Sequence, residues 1–319
     1  MQEARYSLAL VDREGESRLL ADTLRSFESP RFSPDGKKAV VTIRDPNTDV
    51  WELEVERGTL SPLTSASGED ETPIWSTDGR RVHFASSPAE ELRTVSWTAA
   101  DGTGAVESLL TLTSDQHVHL GSWSPDGRVL VFVLIPPDGI EEIWAFEPGE
   151  DREPRPLTSP QSRFKEATPA VSPDGLWLAY ASNRSGRFEI FLQPFPGPGG
   201  GRQVSSEGGR EPVWAKDGRE FFYRNGDRMM VVDVTTQPSL SLGTPRVLFE
   251  GRYVSTPWPL TNYDVAPDGK TFLMVKAREE PLATSRVNFV LSWFEELKRL
   301  GRNAFSARRF RRLATKPGA

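Results

Sequence analysis

Short apolar runs recur along the chain, and a tight polar turn introduces each of them. Examples are Lys37–Ile43, Val129–Ile135 and Thr271–Val275. Runs of this length suit strands better than helices, and their valine, isoleucine and aromatic side chains are typical of buried β-structure. The hydrophobic pattern therefore predicts many short strands separated by polar loops.

The turns form an internal repeat. Six copies of a motif that ends in Asp-Gly occur at Asp35-Gly36, Asp78-Gly79, Asp126-Gly127, Asp174-Gly175, Asp217-Gly218 and Asp268-Gly269. Successive copies lie 43 to 51 residues apart. Proline before the aspartate fixes one turn dihedral in most copies, and glycine adopts the left-handed conformation, so each copy predicts a tight hairpin.

Each repeat offers two further strands. A third opens with an acid and an apolar residue, as in Asp49-Val-Trp51 and Glu142-Ile-Trp144, and a fourth ends near a threonine such as Thr64. Four short strands in every repeat of this length are the signature of a propeller blade. The predicted fold is an all-β, six-bladed β-propeller.

Closure of the ring involves both ends of the chain. The last repeat supplies strands at 262–266 and 271–276, while candidate strands at 6–12 and 17–20 precede the first turn. We expect the N-terminal strands to complete the final blade, because a closed ring removes exposed sheet edges. A run at 287–292 is a second candidate third strand, which leaves five, six or seven sheets open.

The predicted propeller occupies residues 1–292, and residues 293–319 form a short helix and a basic tail. Trp293, Phe294, Leu297 and Leu300 share one helical side. Residues 298–319 hold eight basic side chains and no acid, whereas the whole chain has a net charge of −6. Such a tail suits contact with nucleic acid or an anionic membrane, and a disordered terminus is the interpretation we adopt.

Several function classes lack their residues in this sequence. Cysteine is absent, which removes disulfides, thiol nucleophiles and cysteine-ligated metals. The sequence has no Gly-x-Ser-x-Gly elbow, no phosphate-binding Gly-x-x-x-x-Gly-Lys and no EF-type calcium loop. It also shows no secretory signal and no apolar run long enough to span a membrane. We expect no enzyme activity, no metal site and no cofactor.

The repeats resemble the TolB-type propeller repeat, also called the PD40 or WD-like repeat, across nearly the whole chain. The opening residues 8–15 and the segment 288–298 are further similar to the sensor propellers of bacterial membrane Ser/Thr protein kinases. The sequence contains no kinase motif of its own, so the resemblance implies a sensor part alone. It implies an extracytoplasmic location if the chain belongs to such a kinase and a cytoplasmic one otherwise.

Candidate binding residues lie where each innermost strand begins, because these segments surround one mouth of a propeller channel. They are Glu28, Asp70, Glu71, His117, His119, Lys165, Glu166, Arg210, Glu211, Trp258 and Tyr263. Glu28, Glu71, Glu166 and Glu211 each precede a proline and predict a partial carboxylate ring, which needs a cationic ligand or an internal cation such as Lys165 or Arg210. Trp258 and Tyr263 suit either binding or packing.

Two histidines and one alternative function complete the sequence-based expectations. His117 and His119 have the spacing to share one strand face, as a metal needs, but polar loop histidines are the interpretation we adopt. The predicted function is a non-catalytic, monomeric sensor or scaffold that binds a protein, peptide or small ligand, with no nucleic-acid partner. The alternative is an accessory propeller of a prolyl-oligopeptidase-like hydrolase.

Overall fold

Each sequence repeat folds into one antiparallel sheet, as the turn pattern predicted. The structure, a computed structural model, describes residues 5–20, 24–65, 68–89, 92–113, 115–149, 153–158, 163–197, 200–256 and 259–277. Six sheets form within these ranges, and their innermost strands contact one another in a closed circle. The predicted all-β, six-bladed propeller is confirmed.

The strands are numbered in chain order. The N-terminal hairpin consists of β1 (Tyr6–Val11) and β2 (Ser17–Leu19). Blade 1 contains β3 (Phe27–Phe32), β4 (Lys38–Arg44), β5 (Thr48–Glu54) and β6 (Thr59–Pro62). Blade 2 contains β7 (Glu69–Trp75), β8 (Arg81–Ala89), β9 (Leu92–Ala99) and β10 (Glu107–Leu112). Blade 3 contains β11 (His117–Trp123), β12 (Leu130–Ile135), β13 (Glu142–Phe146) and β14 (Arg155–Pro156).

The second half of the ring follows the same plan. Blade 4 contains β15 (Glu166–Val171), β16 (Trp177–Ser182), β17 (Glu189–Pro194) and β18 (Arg202–Gln203). Blade 5 contains β19 (Arg210–Trp214), β20 (Glu220–Asn225), β21 (Arg228–Thr235), β22 (Ser241–Leu242) and β23 (Arg246–Glu250). Blade 6 contains β24 (Tyr263–Val265) and β25 (Phe272–Ala277).

The N-terminal hairpin completes blade 6, which confirms the predicted closure. The strand order in this sheet is β24, β25, β1, β2, and Leu8 lies opposite Val275 in the register. The two ends of the propeller are thereby hydrogen-bonded side by side. The alternative strand at 287–292, the domain limit at 292 and the helix and tail at 293–319 lie outside the described residues.

The Asp-Gly hairpins form equivalent corners at one end of the ring, which we call the corner face. At the first corner the Ser33 hydroxyl donates to Asp35 over 2.7 Å, and the Lys37 amide donates to the same carboxylate oxygen over 3.1 Å. Gly36 has a φ of 73°, and a Cβ there would lie 3.0 Å from Pro267 of blade 6. Glycine thus permits both the turn and the close packing of neighbouring corners.

The opposite end of the ring carries a second repeated feature. Ser29, Thr72, Thr168 and Glu211 each precede a proline and adopt left-handed φ values between 51° and 58°. The ladder between the first and second strands shifts register at each of these positions. A left-handed residue other than glycine costs roughly 1–3 kcal/mol, so the surrounding ring must hold these four bulges in place.

Candidate functional site

The structure brings ten of the eleven candidate residues to one end of the ring. Nine lie in the first, innermost strands of the six blades, and Lys165 directly precedes β15. Because the inner strands all begin at this end, we call it the mouth face. Trp258 lies outside the described residues. Sequence spacing was therefore sufficient to place these residues, although their chemical states differ widely.

One arginine pairs with two of the predicted ring carboxylates. The Arg44 Nε donates to Glu28 over 2.7 Å, and another guanidinium nitrogen donates to Glu71 over 2.5 Å. Glu28 belongs to blade 1 and Glu71 to blade 2, while Arg44 ends β4. All three side chains are partly buried. The internal cation that the sequence required is thus Arg44, and it ties two neighbouring blades together; we call this group the Arg44 clasp.

A second ion pair lies further round the mouth. The Lys165 ammonium is 2.9 Å from Glu141, whose side chain is 10% exposed. Glu166 itself points into the blade and is buried, and burial raises its pKa. Arg210 stacks its guanidinium over the Phe188 ring, with 3.7 Å between the charged carbon and the ring centre. Neither predicted cation therefore pairs directly with a predicted carboxylate.

Glu211 is a structural carboxylate rather than a rim residue. It is buried, and its carboxylate accepts a hydrogen bond from the backbone amide of Asn262 over 2.8 Å. Burial raises the pKa of Glu211, while Arg224 and other nearby cations oppose that shift. The Tyr263 hydroxyl donates to the Glu211 carbonyl over 2.9 Å, and the Tyr263 ring is fully buried. Of the two interpretations of Tyr263, the structure places this side chain in packing.

The two histidines lie in strand β11, so the prediction of loop histidines is wrong for this pair. His117 is exposed, whereas His119 is 6% exposed and its Nδ1 has no hydrogen-bond partner. Burial, together with the nearby charges of His117 and Arg44, lowers the pKa of His119 to about 3. Among the described residues no group of three His, Asp or Glu side chains has the arrangement of a metal site.

Asp70 belongs to the interior as well. It is 2% exposed and accepts the Ser86 hydroxyl over 2.6 Å. Burial raises the pKa of Asp70, and it also raises that of Asp49, where the Asp70 charge adds to the effect. One carboxylate oxygen of Asp49 is buried without a partner. The two acids thus form a mutually unfavourable pair between blades 1 and 2.

A chain of side-chain to backbone hydrogen bonds links successive blades at the mouth. The Ser29 amide donates to Asn262 over 2.9 Å, the Thr72 amide donates to Thr42 over 3.2 Å, and the Leu120 amide donates to Thr72 over 3.2 Å. The same level of blade 4 presents Thr168, whose buried hydroxyl has no partner. This belt restrains the strained bulges and makes the mouth a stiff surface.

The mouth face offers little enclosed volume among the described residues. A cavity of about 10 Å³ lies between blades 4 and 5, beside Thr168, Arg210 and Leu260, and it has room for roughly one water molecule. Chemically, the face presents partly exposed ion pairs on a rigid frame. Within the described ranges, no helix is long and apolar enough to cross a membrane.

Sequence reasoning missed Arg44, Glu141 and Arg31. Arg44 ends a second strand, and Glu141 directly precedes a third strand; both positions meet the mouth because alternate strands in a meander run in opposite directions. The sequence-based candidates all lie at the starts of first strands. Arg31 lies deeper, where its guanidinium donates to the Thr261 carbonyl over 2.9 Å. A search of every strand end on this face finds the first two.

Comparisons with known proteins agree with this architecture. No protein-family model matches the chain. It is 30% identical over 129 residues to the uncharacterized protein Atu1656 of Agrobacterium fabrum, which covers 39% of this chain and 41% of that protein. It is 25% identical over 197 residues to the uncharacterized peptidase YuxL of Bacillus subtilis, which covers 50% of this chain and 30% of that protein. The chain therefore matches less than half the length of either relative.

Solved structures give the broader likeness. A TolB candidate from Agrobacterium tumefaciens superposes with a TM-score of 0.68 at 19% identity over 87% of this chain and 100% of that one. TolB from Acinetobacter baumannii gives 0.55 at 17% identity over 86% and 64%. A puromycin-hydrolyzing peptidase from Mycobacterium tuberculosis gives 0.52 at 14% identity over 77% and 40%. The resemblance to kinase sensor propellers stays a prediction, and the chain has the six-bladed TolB-like propeller fold.

Proposed function

We propose that this propeller is a non-catalytic binding module that captures a peptide or protein segment on its mouth face. The observation that carries the proposal is the arrangement of charge there. The Arg44 clasp and the Lys165–Glu141 pair place partly exposed ions of both signs on a stiff rim. The described cavity at this face has room for roughly one water molecule, and a polar rim with partly exposed ion pairs suits a partner surface.

The charges on the rim are positioned to set the register of a partner. Lys165 is 44% exposed, so its ammonium can exchange Glu141 for a partner carboxylate at modest cost. Arg210 is partly exposed beside it and presents its guanidinium on the Phe188 ring. Complementary charges at such a rim act mainly on association rate and specificity. The proposed partner therefore carries acidic side chains where it meets blades 4 and 5.

Peptide selection on the purified chain tests the proposal. A random peptide library displayed on phage is selected on the full chain, and the recovered peptides are synthesised and measured by calorimetry. We expect an acidic consensus and a loss of about tenfold in affinity for Lys165→Glu, which corresponds to about 1.4 kcal/mol. Arg219→Glu, an exposed change on the corner face, is the matched control and should leave the affinity within twofold.

Three outcomes contradict this proposal. Selected peptides that bind Lys165→Glu and wild type equally well do not use the rim, and a library that yields no binder removes the capture function. Binding that falls equally in both variants reports net charge rather than a site. A sensing role, as the kinase resemblance implies, is the finer proposal and needs the peptide to come from a signalling partner.

An accessory role in a peptidase is the second candidate function. The match to the peptidase YuxL and the likeness to the mycobacterial peptidase favour it. The sequence itself contains no Gly-x-Ser-x-Gly nucleophile motif. Purified chain is therefore expected to release no chromophore from peptide or ester substrates above a heat-denatured control. Turnover that survives further purification would replace the binding proposal with a hydrolytic one.

A further inference from the structure

A larger cavity lies on the corner face, away from the mouth. It occupies about 560 Å³ between the corners of blades 1 and 2, and we call it the corner groove. Its walls are the corner residues Pro34 and Asp35 on one side and Asp78 on the other, with Trp75 and Ala100 between them. Ligand sites typically have volumes of about 300–1,000 Å³, so this groove has the size of a small-molecule site.

Blade 2 departs from the repeat at the floor of the corner groove. Ala99 lies in the third strand of blade 2, opposite the first residue of the second strand. In blades 1, 4 and 5 the residues at this position of the third strand are Glu54, Pro194 and Asp233. The next residue, Ala100, donates its amide to the residue after the corner glycine, as Val55, Phe195 and Val234 do in the same three blades. Two consecutive alanines thus replace larger side chains only here among these four blades, and they open the floor.

Blade 6 carries a larger side chain at the corresponding position. Counted from the corner glycine, Arg13 occupies the position of Ala100. Its guanidinium crosses to blade 5, where it donates twice to Glu220 over 2.8 and 2.9 Å and once to the Gly269 carbonyl over 3.0 Å. Arg13 thus narrows the equivalent groove between blades 5 and 6, which has a volume of about 430 Å³ against about 560 Å³ for the corner groove. In the corner groove no side chain takes this place.

The polar groups of the corner groove are fixed and of mixed sign. Ser33 donates to Asp35, Ser76 donates to Asp78 over 2.6 Å, and Thr103 donates to Asp101 over 2.6 Å. These hydrogen bonds lower the pKa of each aspartate and leave its second oxygen for other donors. Each carboxylate is therefore an oriented acceptor at neutral pH.

Two donors and an aromatic wall complete the lining. Lys38 and Arg80 line the groove with the three aspartates. The Trp75 indole donates to the Arg31 carbonyl over 3.1 Å, which fixes the plane of its ring. Lys38 is 2.9 Å from Glu52, so its charge is partly compensated. An anionic ligand would meet three carboxylates and a cationic one would meet two bases, whereas hydroxyl groups can donate to the acids and accept from the bases.

We propose that the corner groove binds a neutral oligosaccharide, whose ring packs on Trp75 and whose hydroxyls bond to Asp35, Asp101 and Lys38. A sugar ring presents an apolar face beside many hydroxyls, which matches an aromatic wall beside paired donors and acceptors. The two alanines provide the depth that a ring needs. This site is separate from the mouth face, so its failure and the failure of peptide capture are distinguishable.

Saturation-transfer NMR with the full chain tests the site, with maltotriose, cellotriose and tri-N-acetylchitotriose as probes at millimolar concentration. We expect at least one probe to bind and to quench tryptophan fluorescence. Ala100→Arg places at the floor of the corner groove the side chain that the narrower groove between blades 5 and 6 carries, and it should weaken binding about tenfold or more. Leu176→Arg is the matched control, because Leu176 is 42% exposed at the corner of blade 4 and the other five corners carry Lys or Arg there.

A second variant guards against a folding defect. Asp101→Asn lies on an exposed turn, removes one charged acceptor and should weaken the same probe severalfold with an unchanged melting temperature. The proposal is overturned if none of the three probes binds, or if Ala100→Arg and Leu176→Arg bind equally well. Tighter binding of glucose 6-phosphate or of tri-glucosamine than of the neutral probes would contradict the neutral class.

Discussion

Loss of the Arg44 guanidinium should destabilise the ring, because it leaves two carboxylates from adjacent blades facing each other. In the structure this side chain makes bonds of 2.7 Å to Glu28 and 2.5 Å to Glu71. A hydrogen bond to a charged group contributes about 1.5–3 kcal/mol when buried and well under 1 kcal/mol when exposed. The arginine side chain is 32% exposed, so we expect Arg44→Met to cost about 2 kcal/mol for the two bonds together.

Thermal unfolding followed by tryptophan fluorescence measures this cost. For a domain of this size a loss of about 2 kcal/mol lowers the melting temperature by roughly 3–4 °C. The double variant Arg44→Met/Glu71→Gln should recover a large part of the loss, because it removes the repulsion that the first change creates. Arg219→Met, an exposed arginine on the corner face, is the matched control and should shift the melting temperature by less than about 1 °C.

Additivity would refute this reasoning. If Glu71→Gln alone lowers stability and the double variant falls by the sum of the two single losses, the arginine does not act through the carboxylates. An unchanged melting temperature for Arg44→Met would likewise show that the clasp contributes nothing. Either outcome would also remove the rigid rim on which the proposed capture depends.

Three further predictions concern buried charge and ring closure. Burial lowers the pKa of His119 from 6.5 to about 3, so the unfolded chain binds more protons than the folded one below pH 6.5. Stability therefore falls with acidification, by about 1.4 kcal/mol at one pH unit below 6.5. His119→Asn should flatten the dependence of the melting temperature on pH relative to wild type, and equal slopes would contradict the assignment. Asp49→Asn should raise the free energy of unfolding by up to about 0.5 kcal/mol, and with it the melting temperature, because it relieves the repulsion from Asp70 at a partly exposed position; a decrease would show that the Asp49 charge is stabilised by its neighbours. Arg13→Met should lower the free energy of unfolding by about 1–2 kcal/mol, and with it the urea midpoint, because it removes the bidentate pair with Glu220 across the junction of blades 5 and 6. An unchanged midpoint would show that the β-ladder alone closes the ring.

Periodic features of this fold could be predicted from sequence, because turn chemistry is local. Each corner needs a glycine with positive φ and an aspartate that accepts nearby amides, as Gly36 and Asp35 do. The six corners therefore predicted a six-bladed ring and the end at which each first strand begins, although the two chain ends left the number of sheets open between five and seven. The closure by β1 followed from edge pairing, which is also a general requirement.

The chemical state of each mouth residue depended on neighbours distant in sequence. Glu28 and Glu211 each lie shortly before a proline, yet Glu28 bonds to Arg44 at the rim while Glu211 is buried against Asn262 of the next blade. Spacing before the proline differs by one residue between them, and a one-residue shift in a strand reverses the side that a side chain faces. Burial of His119 likewise depends on packing between blades. Such contacts between repeats leave no local signal.

The central claim is that the chain's two ends pair to close one rigid ring, and a disulfide across that seam tests it most directly. The chain has no cysteine, so Ser7→Cys with Lys276→Cys creates one pair, at positions that lie opposite each other in the register of β1 and β25. The account predicts rapid oxidation of this pair, because directly opposed residues in antiparallel strands approach within reach of a disulfide. The product should be a cross-linked monomer whose altered mobility on a non-reducing gel is reversed by reductant. The pair Ser7→Cys with Phe272→Cys, four residues out of register, should stay reduced. Equal cross-linking of both pairs, or of neither, would contradict the closed ring and the mouth face built on it.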